Sequence, residues 1–292
     1  MVQTSKDPVD VVRDGLRKVV PEPARRYIRR LVNGSPLPPE SASLTLAPTD
    51  PAVPGAGGGP VPGIYETLYE QHAERHDDYT VVGEGIERFG RLELSILHKE
   101  GLQPGQTLVD LGCGIGRLAA QVVPWLEGGH YIGTDISQQI LTRAAHRIAV
   151  VVPNPPCEVT WIKQSDNTFP IPDATVDMVC AFSVFTHTEH EDTYNILKDA
   201  RRIVRLGGTF VLSCLPMDLD ASRVIFVNSS KVDFNARWSD VRNVTTSVDL
   251  MEMIALMAGW KTKAWYRGDQ KHFEVDGELN NFGQSVMVLE AH

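Results

Sequence analysis

The sequence predicts an α/β domain, a parallel sheet with helices on both faces. Three observations carry that reading. Beyond residue 105, short apolar runs alternate with stretches of helical periodicity, the arrangement in which parallel strands are joined by crossover helices. The first run leads through a turn with glycines at 112, 114 and 116 into the apolar stretch Leu118 to Leu126, which reads as a strand, a tight loop and a helix. The chain has 292 residues, enough for one large core and an appendage.

The elements follow in order. Ile64 to Ala73 reads as a short helix, and Gly85 to Glu100 as a longer one with Ile86, Phe89, Leu92, Ile96 and Leu97 on one side. After the glycine turn, His130 to Thr134 is a strand ending in Asp135, and Ser137 caps a helix carrying Ile140, Leu141, Ala144 and Ile148. Pro153, Pro155 and Pro156 stop that helix. Glu158 to Ile162 and Thr175 to Ala181 are strands, and Glu189 to Val204 is a helix, with Thr188 and Glu191 spaced as a capping box. Gly207 and Gly208 turn the chain into a strand from Thr209 to Cys214. Residues 215–247 read as irregular, too long for a plain connection, hence facing substrate or a partner. A helix from Val248 to Ala258, ended by Gly259, and strands Trp260 to Tyr266 and Gln284 to Glu290 complete the chain.

The formal net charge of −9 argues against general nucleic-acid binding. Four cysteines, Cys113, Cys157, Cys180 and Cys214, are far apart with no C-x-x-C pair, so they read as buried thiols in a reducing compartment. No apolar run approaches the roughly 20 residues that span a bilayer, and the N-terminus lacks the apolar core of a signal peptide. The expectation is a cytoplasmic protein. Residues 1–33 are basic, and their apolar positions recur at helical spacing with arginines opposite, so residues 11–32 offer peripheral contact with an anionic membrane face; docking on its own domain or on a partner, or a frayed tail, are the alternatives. Residues 34–63 hold eight prolines and six glycines and read as a linker, which starts the folded domain at residue 64.

The glycine turn excludes two common ligands. A dinucleotide loop needs a third glycine where Arg117 stands, and a Walker loop needs a lysine that is missing. Asp135, 23 residues beyond Gly112, is placed to accept hydrogen bonds from the two hydroxyls of a ribose, or else to sit as a helix-proximal acid. Asp166 can accept from an adenine amino group with Ile136 against the ring, or close an Asx turn.

These residues, followed by Ser165-Asp166, Phe169-Pro170-Ile171-Pro172-Asp173, Val176-Asp177-Met178-Val179, Phe182-Ser183-Val184-Phe185-Thr186-His187 and Arg201 to Gly208, resemble in order and spacing the motif series of class I S-adenosylmethionine-dependent methyltransferases. The resemblance covers roughly residues 105 to 215; Ser165 stands where the family often has glycine. It implies a Rossmann-like seven-stranded sheet in the order 3-2-1-4-5-7-6, its last strand antiparallel, and residues 64–106 forming a helical lid ahead of a core at 107–292. It implies S-adenosylmethionine as cofactor, with Gly112, Gly114 and Gly116 at the methionine moiety, Asp135 at the ribose and Asp166 at the adenine. Cys113, Ile136, Asn167 and Phe182 are expected in the same surface, and Asp110 beside the ammonium group. Tyr65, Tyr69 and Tyr79, in or near the lid, read as packing residues with surface hydroxyls, or else as pocket lining.

His187, at the end of the fourth strand, is the candidate general base, since an imidazole suits proton removal near neutrality. A structural histidine is the rival reading; a metal site of His187, His190 and nearby acids is not expected, because helix capping explains those acids. The implied activity is methylation of a small molecule or a glycan, at a hydroxyl first and at nitrogen or carbon otherwise. A nicotinamide oxidoreductase and a non-catalytic partner protein of the same fold are the rivals from other classes.

Overall fold

The computed structural model describes residues 63–75, 85–164, 166–233, 236–238 and 241–292. The expectations for residues 1–33, for the linker as far as residue 62, for Tyr79 and for Ser165 lie outside them. The described parts of residues 63–75 and 86–292 belong to one compact unit.

Its sheet has seven strands: β1 (Thr107–Leu111), β2 (His130–Asp135), β3 (Glu158–Lys163), β4 (Val176–Ala181), β5 (Val204–Cys214), β6 (Trp260–Tyr266) and, after two short strands, β9 (Ser285–Ala291). Their order is β3-β2-β1-β4-β5-β9-β6, the order expected, with β9 as the seventh sheet strand. Strands β1 to β5 pair in parallel, and β9 runs antiparallel to both neighbours. The sequence reading missed β7 (Phe273–Val275) and β8 (Glu278–Asn280), a separate hairpin turned through Asp276 and Gly277, both at positive φ. Three-residue strands are too short to show alternation.

Alternate strand residues feed two cores. Val109, Ile132, Val179, Phe210 and Leu289 pack with Leu197, Ala200, Met251 and Ala255 on one face. Leu108, Tyr131, Met178, Val211 and Val288 pack with Leu92, Ile96 and Val122 on the other. Helices α5 (His190–Ile203) and α7 (Val248–Met257) therefore cover the first face, and α2 (Ile86–Lys99) the second. This corrects the lid expected over residues 64–106. Leu92, Ile96 and Leu97 are fully buried, so α2 is a layer of the core, and only α1 (Ile64–Arg75) has the place of a lid.

Three local expectations are also corrected. The helix after the glycine turn, α3 (Ala119–Val122), is a single turn, because Pro124 has no N–H to continue it. So short a helix contributes little dipole to the loop. Strand β5 begins at Val204, earlier than expected, and its pairing with β4 breaks register between Val176 and Met178, where Gly207, at φ +76°, turns the chain within the strand. Residues 215–247 contain α6 (Asp220–Ser230) and a 3₁₀ turn at Ala236–Trp238. Remaining boundaries match within two residues. Ser137 caps α4 (Gln138–Val151) through Ile140 N–H at 3.2 Å, and Ser247 caps α7 through Leu250 N–H.

Candidate cofactor and acceptor site

The glycine turn joins β1 to α3 at the carboxyl ends of the parallel strands. Gly112, Gly114 and Gly116 have φ of +68°, +54° and +79°, which an L side chain resists. The space beside two of them belongs to the protein. A Cβ on Gly112 would collide with Val184 Cγ2, and one on Gly116 would lie 3.2 Å from Ile148 Cγ1. The loop's amides are partly engaged as well: Cys113 N–H donates to Thr134 O at 2.9 Å, Gly116 N–H to Cys113 O at 3.1 Å, and Gly114 N–H to Asp135 Oδ2 at 3.1 Å. These bonds weld the turn to the end of β2.

Asp135 accepts there from Gly114 and, through Oδ1, from Ser137 N–H at 3.0 Å. Burial pushes its carboxyl up to about 6 against those bonds, so it is an anion at neutral pH. With Ile136 N–H as a third backbone donor, the carboxylate keeps room for a further donor. Ile136, half-buried, follows it. Gln164 was not among the sequence candidates. Its backbone N–H donates to Asp135 O at 3.0 Å, and its buried Oε1 has no hydrogen-bond partner among the described residues. An unanswered acceptor next to a ribose-type aspartate fits a nucleoside with exocyclic donors.

The other candidates are placed differently. Asp110 is buried in the layer that packs against α2, where Oδ2 accepts from Tyr131 OH at 2.7 Å and Oδ1 from Cys180 Sγ at 3.6 Å. Burial pushes its carboxyl up to about 7. Cys113 is buried, and burial raises its thiol pKa further above the ordinary value. Phe182 packs in the core with its ring 5.4 Å from Phe282. Asp166 is exposed and closes an Asx turn, accepting from Thr168 N–H at 2.9 Å and from its hydroxyl at 2.6 Å. Asn167 donates to Asp192 Oδ1 at 2.8 Å. Arg117, which breaks the dinucleotide pattern, donates to the buried Glu93 of α2 through Nε at 3.1 Å.

His187 ends a turn between β4 and α5 that is built on strain. Ser183 is a non-glycine residue at φ +63°. Ser213 Oγ accepts from its N–H at 2.8 Å, and Gln284 Nε2 donates to its Oγ at 2.8 Å. Neither residue carried a sequence signal. Val184, the side chain that fills the space at Gly112, lies in the same turn, so the glycine loop and the turn bearing His187 are packed together. His187 Nδ1 is 2.8 Å from Arg242 O. A carbonyl only accepts, so Nδ1 carries the hydrogen; burial and nearby His72 lower the imidazole pKa. The ring is therefore neutral near pH 7, with its lone pair on Nε2.

A pocket opens over this imidazole. Tyr65, Leu68 and Tyr69 of α1 form one wall, and Arg237, Val241 and Arg242 another. The ring of Tyr69 stands edge-on to His187, centroids 6.4 Å apart. Tyr65 OH donates to Asp192 Oδ2 at 3.1 Å and accepts from Glu189 N–H at 3.2 Å. The two tyrosines thus line the pocket, against their expected place as plain packing residues. The capping box is corrected too. Glu189 is the N-cap of α5 without a side-chain cap bond, Thr188 Oγ1 donates instead to Val184 O at 2.9 Å, and the buried Asp192 joins Tyr65 to Asn167. α1 is held further by Lys163 to Glu66 and by Gln138 N–H to Glu70 Oε1 at 2.7 Å.

Residues 108–208 match the family described as methyltransferase domain. This stretch is a methyltransferase domain. A sterol 24-C-methyltransferase of Gibberella zeae is 27% identical over 129 residues, 44% of this chain and 33% of that one. An uncharacterized methyltransferase of Bacillus subtilis is 29% identical over 126 residues, 43% of this chain and 65% of its own length. The chain thus spans a third to about two thirds of these curated relatives. Among solved structures, the magnesium protoporphyrin IX methyltransferase of Synechocystis PCC 6803 with bound SAH (S-adenosylhomocysteine) superposes with a TM-score of 0.56 at 15% identity, covering 78% of this chain and 99% of that one. A SAM-dependent methyltransferase of Methanosarcina mazei gives 0.52 at 13% identity, covering 67% and 96%. These likenesses bear out the fold. Among the described residues, no helix is long and apolar enough to cross a membrane.

Proposed function

We propose that the chain transfers the methyl group of S-adenosylmethionine to a hydroxyl of a small molecule or a glycan held in the pocket over His187. The observation that carries this reading is the neutral imidazole of His187, a pocket-lining residue whose Nδ1 is tied to Arg242 O, which leaves Nε2 as its basic atom.

Gly112, Cys113, Gly114 and Gly116 hold the cofactor's amino-acid end in this reading, with Asp110 fixing the strand end behind them. Asp135 takes the ribose hydroxyls, and Ile136, Asp166 and Asn167 surround the adenine, with Gln164 Oε1 added as an acceptor for its amino group and Phe182, at the end of β4, backing the site from the core. When bound, the cofactor supplies a methyl group on a sulfonium, whose C–S pair stays with sulfur as the new O–C bond forms. The protein's own contribution is alignment and proton removal: α1 closes water out, and His187 Nε2 takes the hydroxyl proton. A carbon or nitrogen acceptor is the second reading; the Gibberella relative is by its name a C-methyltransferase.

The test incubates the full chain with S-adenosylmethionine and a panel of hydroxylated small molecules and glycans, scored by mass spectrometry for the gain of one CH₂ and by NMR for the methylated atom. His187→Ala should then lower the transfer rate by about 10²-fold or more while S-adenosylmethionine affinity stays unchanged. Near-normal turnover rules out the base.

The basic amphipathic pattern of residues 11–32 supports a cytoplasmic protein that touches an anionic membrane face. Unchanged co-sedimentation with anionic liposomes after deletion of residues 1–33 would remove that reading.

A further inference from the structure

We infer that the acceptor carries an oxyanion, a carboxylate or a phosphate, seated on Arg237; the inference rests on the methyl-transfer reading for the role of the pocket, and on the pocket's own charges for the anion.

The two cations lining the pocket differ. Arg242 is paired with Glu189, so its charge is answered within the protein. Arg237 donates through Nε to Val232 O at 3.1 Å and makes no ion pair among the described residues. The third polar group, His187, is neutral near pH 7. Arg242 and Glu189 offset one another and Asp192 lies behind Tyr65, so Arg237 is the lining cation without an ion pair among the described residues, in a chain whose net charge is −9. An unanswered guanidinium in a surface otherwise short of positive charge marks where an anion is attracted. Its planar fork matches carboxylate and phosphate oxygens. The wall opposite is Tyr65, Leu68 and Tyr69, whose rings suit a flat or apolar body and thin the water around the charge. A ligand that meets all three walls has a hydroxyl at His187 Nε2, an apolar body against α1 and an oxyanion at Arg237. The bland alternative is a solvated surface arginine, which binds neither anion nor neutral analogue selectively.

The test uses 4-hydroxybenzoate and its neutral counterpart 4-hydroxybenzamide as probes, with dissociation constants read by ligand-observed NMR on the full chain, with and without S-adenosylhomocysteine. The carboxylate should bind about tenfold more tightly than the amide. Arg237→Gln should abolish that preference and Arg237→Lys should keep part of it, both with unchanged S-adenosylhomocysteine affinity. Phenyl phosphate against phenol, measured in the same way, decides which oxyanion is preferred. Equal affinity of charged and neutral probes, a preference that survives Arg237→Gln, or no binding of any probe overturns the inference. Loss of S-adenosylhomocysteine binding by the wild-type chain would instead count against the methyl-transfer reading, because the charge preference is read without it as well.

Discussion

Gly112→Ala should damage the protein more than its backbone angle alone explains. Two costs apply. An alanine at φ +68° is held in the left-handed region, at about 1–2 kcal/mol. Its Cβ would also collide with Val184 Cγ2 in the turn that carries His187, an overpacking that costs about 1–3 kcal/mol. Gly207 supplies the control, since it has φ +76° and no atom within 4 Å of an added Cβ, so Gly207→Ala feels the first cost only. Val184→Ala removes the colliding methyl, and the double variant Gly112→Ala/Val184→Ala should recover the second cost. The assay is urea unfolding of the four variants and wild type, with the coupling energy taken from the double-mutant cycle at about 1–3 kcal/mol. S-adenosylhomocysteine calorimetry on Gly112→Ala should show at least a tenfold loss, consistent with ~1.4 kcal/mol. Equal costs for the alanines at 112 and 207, or a coupling energy below about 0.5 kcal/mol, would show that the glycine is not there for Val184.

Two further expectations concern the buried charges beneath the site. Arg117→Ala leaves Glu93, whose side chain is 1% exposed, without its counter-ion, and should cost about 3 kcal/mol or more near pH 8 in chemical unfolding. A smaller loss in the paired variant Arg117→Met/Glu93→Gln would confirm that the unpaired charge is the cause; equal losses would refute it. Asp110 titrates at about 7 in the folded protein against 3.8 for an ordinary carboxyl, so between those values the native state holds a proton that the unfolded chain has lost. Stability should therefore fall as pH rises from about 4 to about 7, by at most ~1.4 kcal/mol per unit from this group. Asp110→Asn should flatten that slope, and unfolding midpoints at pH 5 and pH 8 that differ as in wild type would contradict it.

The regular frame was readable because its signals are local. The short strand run HYIGT ending in an acid, the Ser137 and Ser247 caps, and Gly259 at the end of α7 each act within a few residues of themselves, and the sheet order followed once the motif series had been recognised. What was not readable depends on partners far away in sequence. Ser183 offers no hint that it is bent into the left-handed region, because the groups that hold it are Ser213 and Gln284. Asp192 looks like a first-turn acid from its neighbours, and only the docking of Tyr65, 127 positions away, makes it a strut between α1 and the turn at Asn167. Arg117 was legible as an exception to one motif and opaque as the partner of Glu93.

Several residues of the motif series stand in the frame and not at the site. Arg202 donates to Phe169 O and to Ile171 O, both at 2.8 Å, and also to Asp173 and Asp199, which ties the 169–173 stretch to α5. Asp177 accepts from Thr107 N–H at 2.8 Å and pairs with Arg205, which fastens the start of β1 to β4 and β5. These groups set the register and spacing of strands whose carboxyl ends must meet in one cleft. The motif series is therefore legible over a hundred residues because it records how the cleft is assembled. Arg237, Val241 and Arg242 line the pocket without being part of that frame, and no pattern in the motif series points to them. Arg237 became visible only when the fold set it across from Tyr69 and His187.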